Sequence, residues 1–188
     1  MIYVFESPDR CGKTTQIEIL KKKLERDGGA VFVVHCEAIK SFSKDEPKLN
    51  YEEAVKNASK TRYSALLDIC GKYALDKKIH FIFDRAHLGE AVYSPMYRNY
   101  SGDYVFDMEL MLPPEVLEAI RLFVFVDKPE NLIKRDDGLS FTTDVEKKKQ
   151  EIELFIEAYR KTHIKSAYLI DISEYSIEDV AKIIEERI

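Results

Sequence analysis

Along the chain, short runs that are apolar throughout alternate with longer stretches of helical period. Ile2–Phe5 reads as a buried strand, followed by a helix on which Ile17, Leu20 and Leu24 recur and which Gly28-Gly29 ends. Ala30–Val34 predicts a second strand, then a polar stretch to about Asn50, then a helix with Leu66, Leu67, Cys70, Tyr73 and Ala74 on its apolar face. Ile79–Phe83 predicts a third strand, stopping at Asp84-Arg85. Residues 87–99 read as helix and 100–103 as loop, and one further helix leads to a fourth strand at Leu122–Val126. Pro129 suits the first turn of another helix, which Asp136-Asp137-Gly138 breaks. Ile152, Phe155, Ile156 and Tyr159 mark a long helix, Ala167–Asp171 a fifth strand, and Ile177, Val180 and Ile184 a final helix.

Apolar strands separated by helices predict an α/β fold: a five-stranded parallel sheet with helices on both faces. Such sheets bind ligands beyond the C-terminal ends of their strands. The polar residues there are Glu6-Ser7, His35 to Glu37, Asp84-Arg85 and Asp127. No repeat or linker interrupts 1–188, which reads as a single domain. The lysine runs 21–23 and 147–149 read as solvated helix faces.

Composition narrows the choice of partner. The net charge of −5 argues against a general nucleic-acid binder, since such binding needs clustered cations. Cys11, Cys36 and Cys70 form no CxxC pair or Cys/His cluster, so neither a disulfide framework nor a zinc site is expected. The apolar run Ile2–Phe5 is far too short for a signal peptide, and no stretch is long enough to span a membrane. A cytoplasmic protein is expected.

The chemistry concentrates at Ser7-Pro-Asp-Arg-Cys-Gly-Lys-Thr14, which nearly matches the phosphate-binding loop G-x-x-x-x-G-K-[ST], with Ser7 in place of the first glycine. It follows a strand and opens a helix, as the mechanism requires. Backbone N–H groups at a helix start wrap phosphates, and the helix dipole favours their charge. Gly12 permits close approach, Lys13 reaches the β and γ oxygens, and Thr14 offers a hydroxyl to Mg²⁺. Whether a Cβ at Ser7 is tolerated depends on the local φ.

The wider string Phe-Glu-Ser-Pro-Asp-Arg-Cys-Gly-Lys-Thr-Thr-Gln, residues 5–16, resembles the loop of thymidylate kinases. The likeness continues through Asp84-Arg85, Val126–Leu132 and the helix ending Phe155–Tyr159, and covers nearly the whole chain. The resemblance implies a P-loop NTPase fold of the nucleoside monophosphate kinase type, with ATP and Mg²⁺, a nucleotide acceptor, and a homodimer. It implies ATP contacts from Asp9, Arg10, Cys11, Gly12, Lys13, Thr14 and Thr15, and metal contacts from Thr14 and Asp84. Asp9 would face the acceptor's 3′-hydroxyl side, and Arg85 would grip the acceptor phosphate. Arg10 matches an arginine that one subclass places on the transferring phosphate, where charge stabilisation is worth about 10³–10⁵ in rate in nucleotide hydrolases. In that subclass the lid is poor in basic residues, and the lid expected here at 136–144 contains none, although Lys134 and Arg135 lie just before it. Catalysis would then fall to Arg10, Lys13 and Arg85. Arg62 would read the base and Tyr93 would crowd the sugar's 2′ position. A solvated arginine and a core tyrosine are the plain alternatives.

The acceptor side departs from the family pattern. Ala58 stands where a base-stacking aromatic is usual, and His35-Cys-Glu-Ala38 replaces a motif carrying a phosphate-binding arginine. Glu37 survives, with Lys40 a point-charge substitute. The continuation after Asp84-Arg85 resembles divergent, often viral, members. His87 and Glu90, three apart, would share a helix face, Glu90 serving either as an acceptor contact or in a structural ion pair. The leading expectation is a kinase for dTMP or a related pyrimidine deoxynucleotide. The alternatives are a kinase for a deoxynucleoside or modified-base hydroxyl, with Glu37 as base, and a non-catalytic nucleotide sensor.

Overall fold

The computed structural model describes residues 1–36, 51–136, 138, 140 and 142–188. Glu37 and Lys40 therefore lie outside the described residues, as do Asp137, Leu139 and Phe141 of the expected lid.

Five strands, β1 (Ile2–Glu6), β2 (Ala30–His35), β3 (Ile79–Asp84), β4 (Ile120–Val126) and β5 (Ser166–Asp171), form one parallel sheet in the order β2-β3-β1-β4-β5. Helices α1 (Lys13–Arg26), α2 (Tyr51–Tyr73) and α3 (Leu88–Tyr97) follow the first three strands. The short α4 (Tyr104–Glu109) and α5 (Pro114–Ala119) precede β4. Next come α6 (Pro129–Lys134), α7 (Val145–Lys161) and, after β5, α8 (Ile177–Glu185).

Strand alternation sorts the core into two layers. Ile2 and Val4 of β1 pack with Leu66 and Leu67 of α2, Leu88 and Val92 of α3, and Phe155 of α7. Tyr3 and Phe5 point the other way, onto Ile17 and Leu20 of α1, Leu132 of α6, and Val180 and Ile184 of α8. The central strands β1 and β4 are covered on both faces, and β1 is buried at every position. The edge strand β2 is not, and leaves Phe32 and Val33 exposed, because an edge has a sheet neighbour on one side alone.

Phe123 shows how much the inner layers contribute. Its ring is fully buried and stacks on Phe5 at 5.1 Å and Tyr168 at 5.5 Å. Phe123→Ala is expected to destabilise the fold by about 3–5 kcal/mol, read as a lower urea midpoint with an unchanged slope.

Two local readings change. The single helix expected before β4 divides into α4 and α5, because Pro113-Pro114 removes backbone donors and disfavours helix at Leu112. The 147–149 lysine run is not wholly solvated: Lys148 is buried, with its Nζ donating to Glu151 Oε2 at 2.8 Å. One turn of α7 faces α3, so a charge there must find its partner inside.

Candidate active site

Parallel register brings the C-terminal ends of β1, β2 and β3 side by side. Phe5 lies opposite Asp84, and Asp84 opposite His35. The Arg85 N–H donates to Phe5 O at 3.0 Å, which keeps the chain beyond β3 against β1. The buried Glu6 side chain strengthens the same junction. Its Oε1 accepts from the backbone N–H groups of Ala86, Leu88 and Gly89 at 2.9, 3.0 and 3.3 Å, so it closes the open first turn of α3. Burial raises the Glu6 carboxyl above its usual range, against the nearby His87 and these N–H groups.

Between β1 and α1 the loop turns through two left-handed residues, Arg10 (φ 74°) and Gly12 (φ 71°). Residues of alternating hand turn successive N–H groups toward one concavity, which suits an anion. The start of α1 adds unpaired N–H groups, and its first turn holds no acidic residue. Glycine adopts φ 71° at no steric cost, whereas Arg10 carries backbone strain. Ser7 is not among the positive-φ residues, so its Cβ costs nothing in place of the usual glycine. Its buried hydroxyl donates to Pro8 O at 2.6 Å and accepts from Lys13 Nζ at 2.9 Å.

A cleft of about 410 Å³ opens here, lined by Asp9, Arg10, Cys11, Gly12, Lys13, Thr14, His35, Asp84, Arg85 and Arg135. Burial lowers the Lys13 ammonium from its usual value, and the Arg85 cation adds to this against the pull of Asp84. A bound phosphate would relieve both penalties. Arg85 Nη2 donates to Asp9 Oδ1 at 2.5 Å, and Arg85 is itself left-handed, at φ 63°. Burial pushes the Cys11 thiol up to about 12, which makes it a packing group rather than a nucleophile.

Asp84 bears on a metal. Its Oδ2 is bonded by His35 Nδ1 at 2.9 Å, while its Oδ1 is buried and has no hydrogen-bond partner among the described residues. A buried carboxylate oxygen without a donor fits a hard cation, and Thr14 on the same cleft offers a hydroxyl. Among the described residues no group of three or more His, Cys, Asp or Glu could hold a metal. A Mg²⁺ held by Asp84 and Thr14 would therefore draw its remaining oxygens from phosphates and water.

The other expected site residues are distributed around this cleft. Thr15 is exposed and does not line it. Tyr93 is buried within electrostatic reach of Asp9 and Arg85, with its hydroxyl donating to Glu151 Oε1 at 2.6 Å. Arg62 sits half-buried on α2, within electrostatic reach of Cys36. Glu90 is buried, and its carboxylate accepts from Arg98 Nη1 at 2.6 Å and from the hydroxyls of Tyr100 and Tyr104 at 2.6 and 2.9 Å. His87 does not pair with Glu90 but with Glu109, at 2.5 Å. Two features carry no assigned role in the sequence, the His35–Asp84 bond and the Glu6 brace, and their one signal is that Glu6 and His35 end strands. Arg135, which the sequence places just before the lid, lines the cleft, and its Nη1 bonds Asp127 Oδ2 at 2.7 Å.

A parallel sheet of this order, with a phosphate loop after β1 and an Asp-Arg pair after β3, defines a P-loop phosphotransferase of the nucleoside monophosphate kinase class. The thymidylate kinase family model matches residues 5–184, and the chain belongs to that family. No curated protein matches it by sequence. Among solved structures, thymidylate kinase from Candida albicans matches with a TM-score of 0.63 at 14% identity, over 98% of this chain and 89% of that one. The YorR protein from Bacillus subtilis, solved in complex with phosphorylated GDP, matches with a TM-score of 0.60 at 18% identity, over 99% and 94%. At these identities the two structures establish a shared fold. Among the described residues no helix is long and apolar enough to cross a membrane.

Proposed function

We propose that this protein transfers the γ-phosphoryl group of ATP to the phosphate of dTMP or a related pyrimidine deoxynucleotide. The observation that carries this reading is the convergence of Arg10, Lys13 and Arg85 on one cleft at the start of α1. The γ-phosphorus would exchange its bond to the β-side oxygen for one to an acceptor phosphate oxygen, leaving ADP and a nucleoside diphosphate. The acceptor is already an anion, so no general base is needed, and catalysis rests on positioning and charge stabilisation. Lys13 would hold the β and γ oxygens, Arg10 the moving group, and Arg85 the acceptor phosphate, oriented by Asp9. Thr14 and Asp84 would hold Mg²⁺, which when bound offsets the charge on the ATP oxygens. Tyr93, buried beside Asp9 and Arg85, supports a deoxyribose acceptor, because a ring there leaves little room for a 2′-hydroxyl.

A panel of deoxynucleosides, ribonucleoside monophosphates and deoxynucleoside monophosphates, each with ATP and Mg²⁺, tests this by ADP release. Release is expected with a pyrimidine deoxynucleoside monophosphate. Background release with every monophosphate would overturn the reading. Release with a deoxynucleoside instead would point to hydroxyl transfer, with Glu37 as base.

A further inference from the structure

We infer that His35 is a positioning residue for Asp84: the Nδ1–H of His35 holds one carboxylate oxygen so that the other is presented to the divalent cation of the nucleotide complex. This rests on the proposed reading of the cleft as a metal-nucleotide site.

The juxtaposition follows from the sheet. β2 and β3 are parallel, and their register sets His35 directly beside Asp84 at the end of both strands. Nδ1 lies 2.9 Å from Oδ2. An ionised carboxylate can only accept, so this contact places the ring proton on Nδ1. The Asp84 side chain is 10% exposed and that of His35 is 46% exposed, so the bond joins a cleft-lining ring to a buried anion. Oδ1 is buried and receives no donor among the described residues. The arrangement is therefore asymmetric, with one oxygen satisfied by protein and the other left for a ligand.

Without that bond Asp84 has other choices. Lys13 and Arg85 both interact electrostatically with it. A carboxylate freed to rotate would pair with one of them, withdrawing an oxygen from the cation and a positive charge from the phosphates. Hydrogen bonds behind metal ligands act in this way, by fixing the ligand's orientation before the metal arrives. His35 is suited to the task because it ends an edge strand, where its ring reaches the cleft without disturbing the core.

The test is a titration with Mn²⁺, a paramagnetic substitute for Mg²⁺. Electron paramagnetic resonance reads free Mn²⁺ in the presence of the full chain and a non-hydrolysable ATP analogue. His35→Ala is expected to weaken Mn²⁺ binding about tenfold, read at an analogue concentration that saturates both proteins. His35→Asn, whose amide nitrogen can stand near the position of Nδ1, should recover most of the loss, and His35→Gln, whose amide reaches the position of Nε2, should not. Unchanged Mn²⁺ affinity in His35→Ala, or equal recovery by Asn and Gln, would overturn the role of His35 and leave the kinase reading standing. Absence of protein-dependent Mn²⁺ binding in the wild type would instead overturn the metal-nucleotide reading, and the inference with it.

Discussion

Arg10→Gly is expected to lower the turnover number by about 10³-fold, the lower end of the range for an arginine on a transferring phosphoryl group, while leaving the fold as stable as before or slightly more so. The two effects separate because the role proposed for Arg10 rests on its side chain, whereas the strain lies in its backbone. Its φ of 74° lies in the left-handed region. A residue with a Cβ pays about 1–2 kcal/mol there, whereas glycine costs about 0.4–1 kcal/mol through the freedom of the unfolded chain. The balance is between zero and about 1.6 kcal/mol in favour of glycine. Arg10→Ala removes the same guanidinium but keeps the strain, so it should lose equal turnover and be the less stable of the two. Steady-state kinetics with ATP and acceptor varied separately, beside thermal melts, check both halves. Modest, equal losses in turnover and ATP affinity would remove Arg10 from the transferring group.

Glu109→Gln carries the second large effect, on stability. Glu109 is fully buried and accepts from His87 Nε2 at 2.5 Å, Thr162 Oγ1 at 2.6 Å and the His163 N–H at 2.6 Å. An amide places a donor where the carboxylate only accepted, in a site closed to water, and each buried donor left unpaired costs about 1–3 kcal/mol. Burial alone would raise this carboxyl, but His87, Thr162 and the His163 N–H outweigh it and hold it below its usual range. A depressed folded value stabilises the protein above the unfolded carboxylate value, about 4.3, and that stability is lost as pH falls through the folded value. The gap between wild type and Glu109→Gln should therefore be full at neutral pH and narrow below about pH 4.3. Urea midpoints across that range measure it, and a gap independent of pH would assign the loss to shape rather than charge. His87 follows Arg85 by two residues, so the variant should also weaken acceptor binding.

The loop and the Asp84-Arg85 pair were legible because each is a local signal. A strand, a glycine at the right offset and a following helix are all read within about a dozen residues. The departure at Ser7 needed the backbone angle to resolve it. Glu90 and Lys148 were harder to read from the chain. A glutamate beside the Asp-Arg pair can as easily face an acceptor, yet its oxygens meet Arg98, Tyr100 and Tyr104. A lysine within a charge run suggests solvent, yet Lys148 turns inward to Glu151. Spacing gives the face of a helix, but the partner awaiting that face belongs to another element.

By itself, the sequence determined the α/β class, the strands and the residues of the phosphate loop, because hydrophobic period and turn chemistry act over short separations. The tertiary structure alone decided which strand ends meet. His35 reaches Asp84 across 49 positions of chain, and Glu6 reaches the start of α3 across 80 and more. Those contacts depend on the parallel register of β2, β3 and β1, which is set by packing both faces of the sheet at once and leaves no mark in the local pattern.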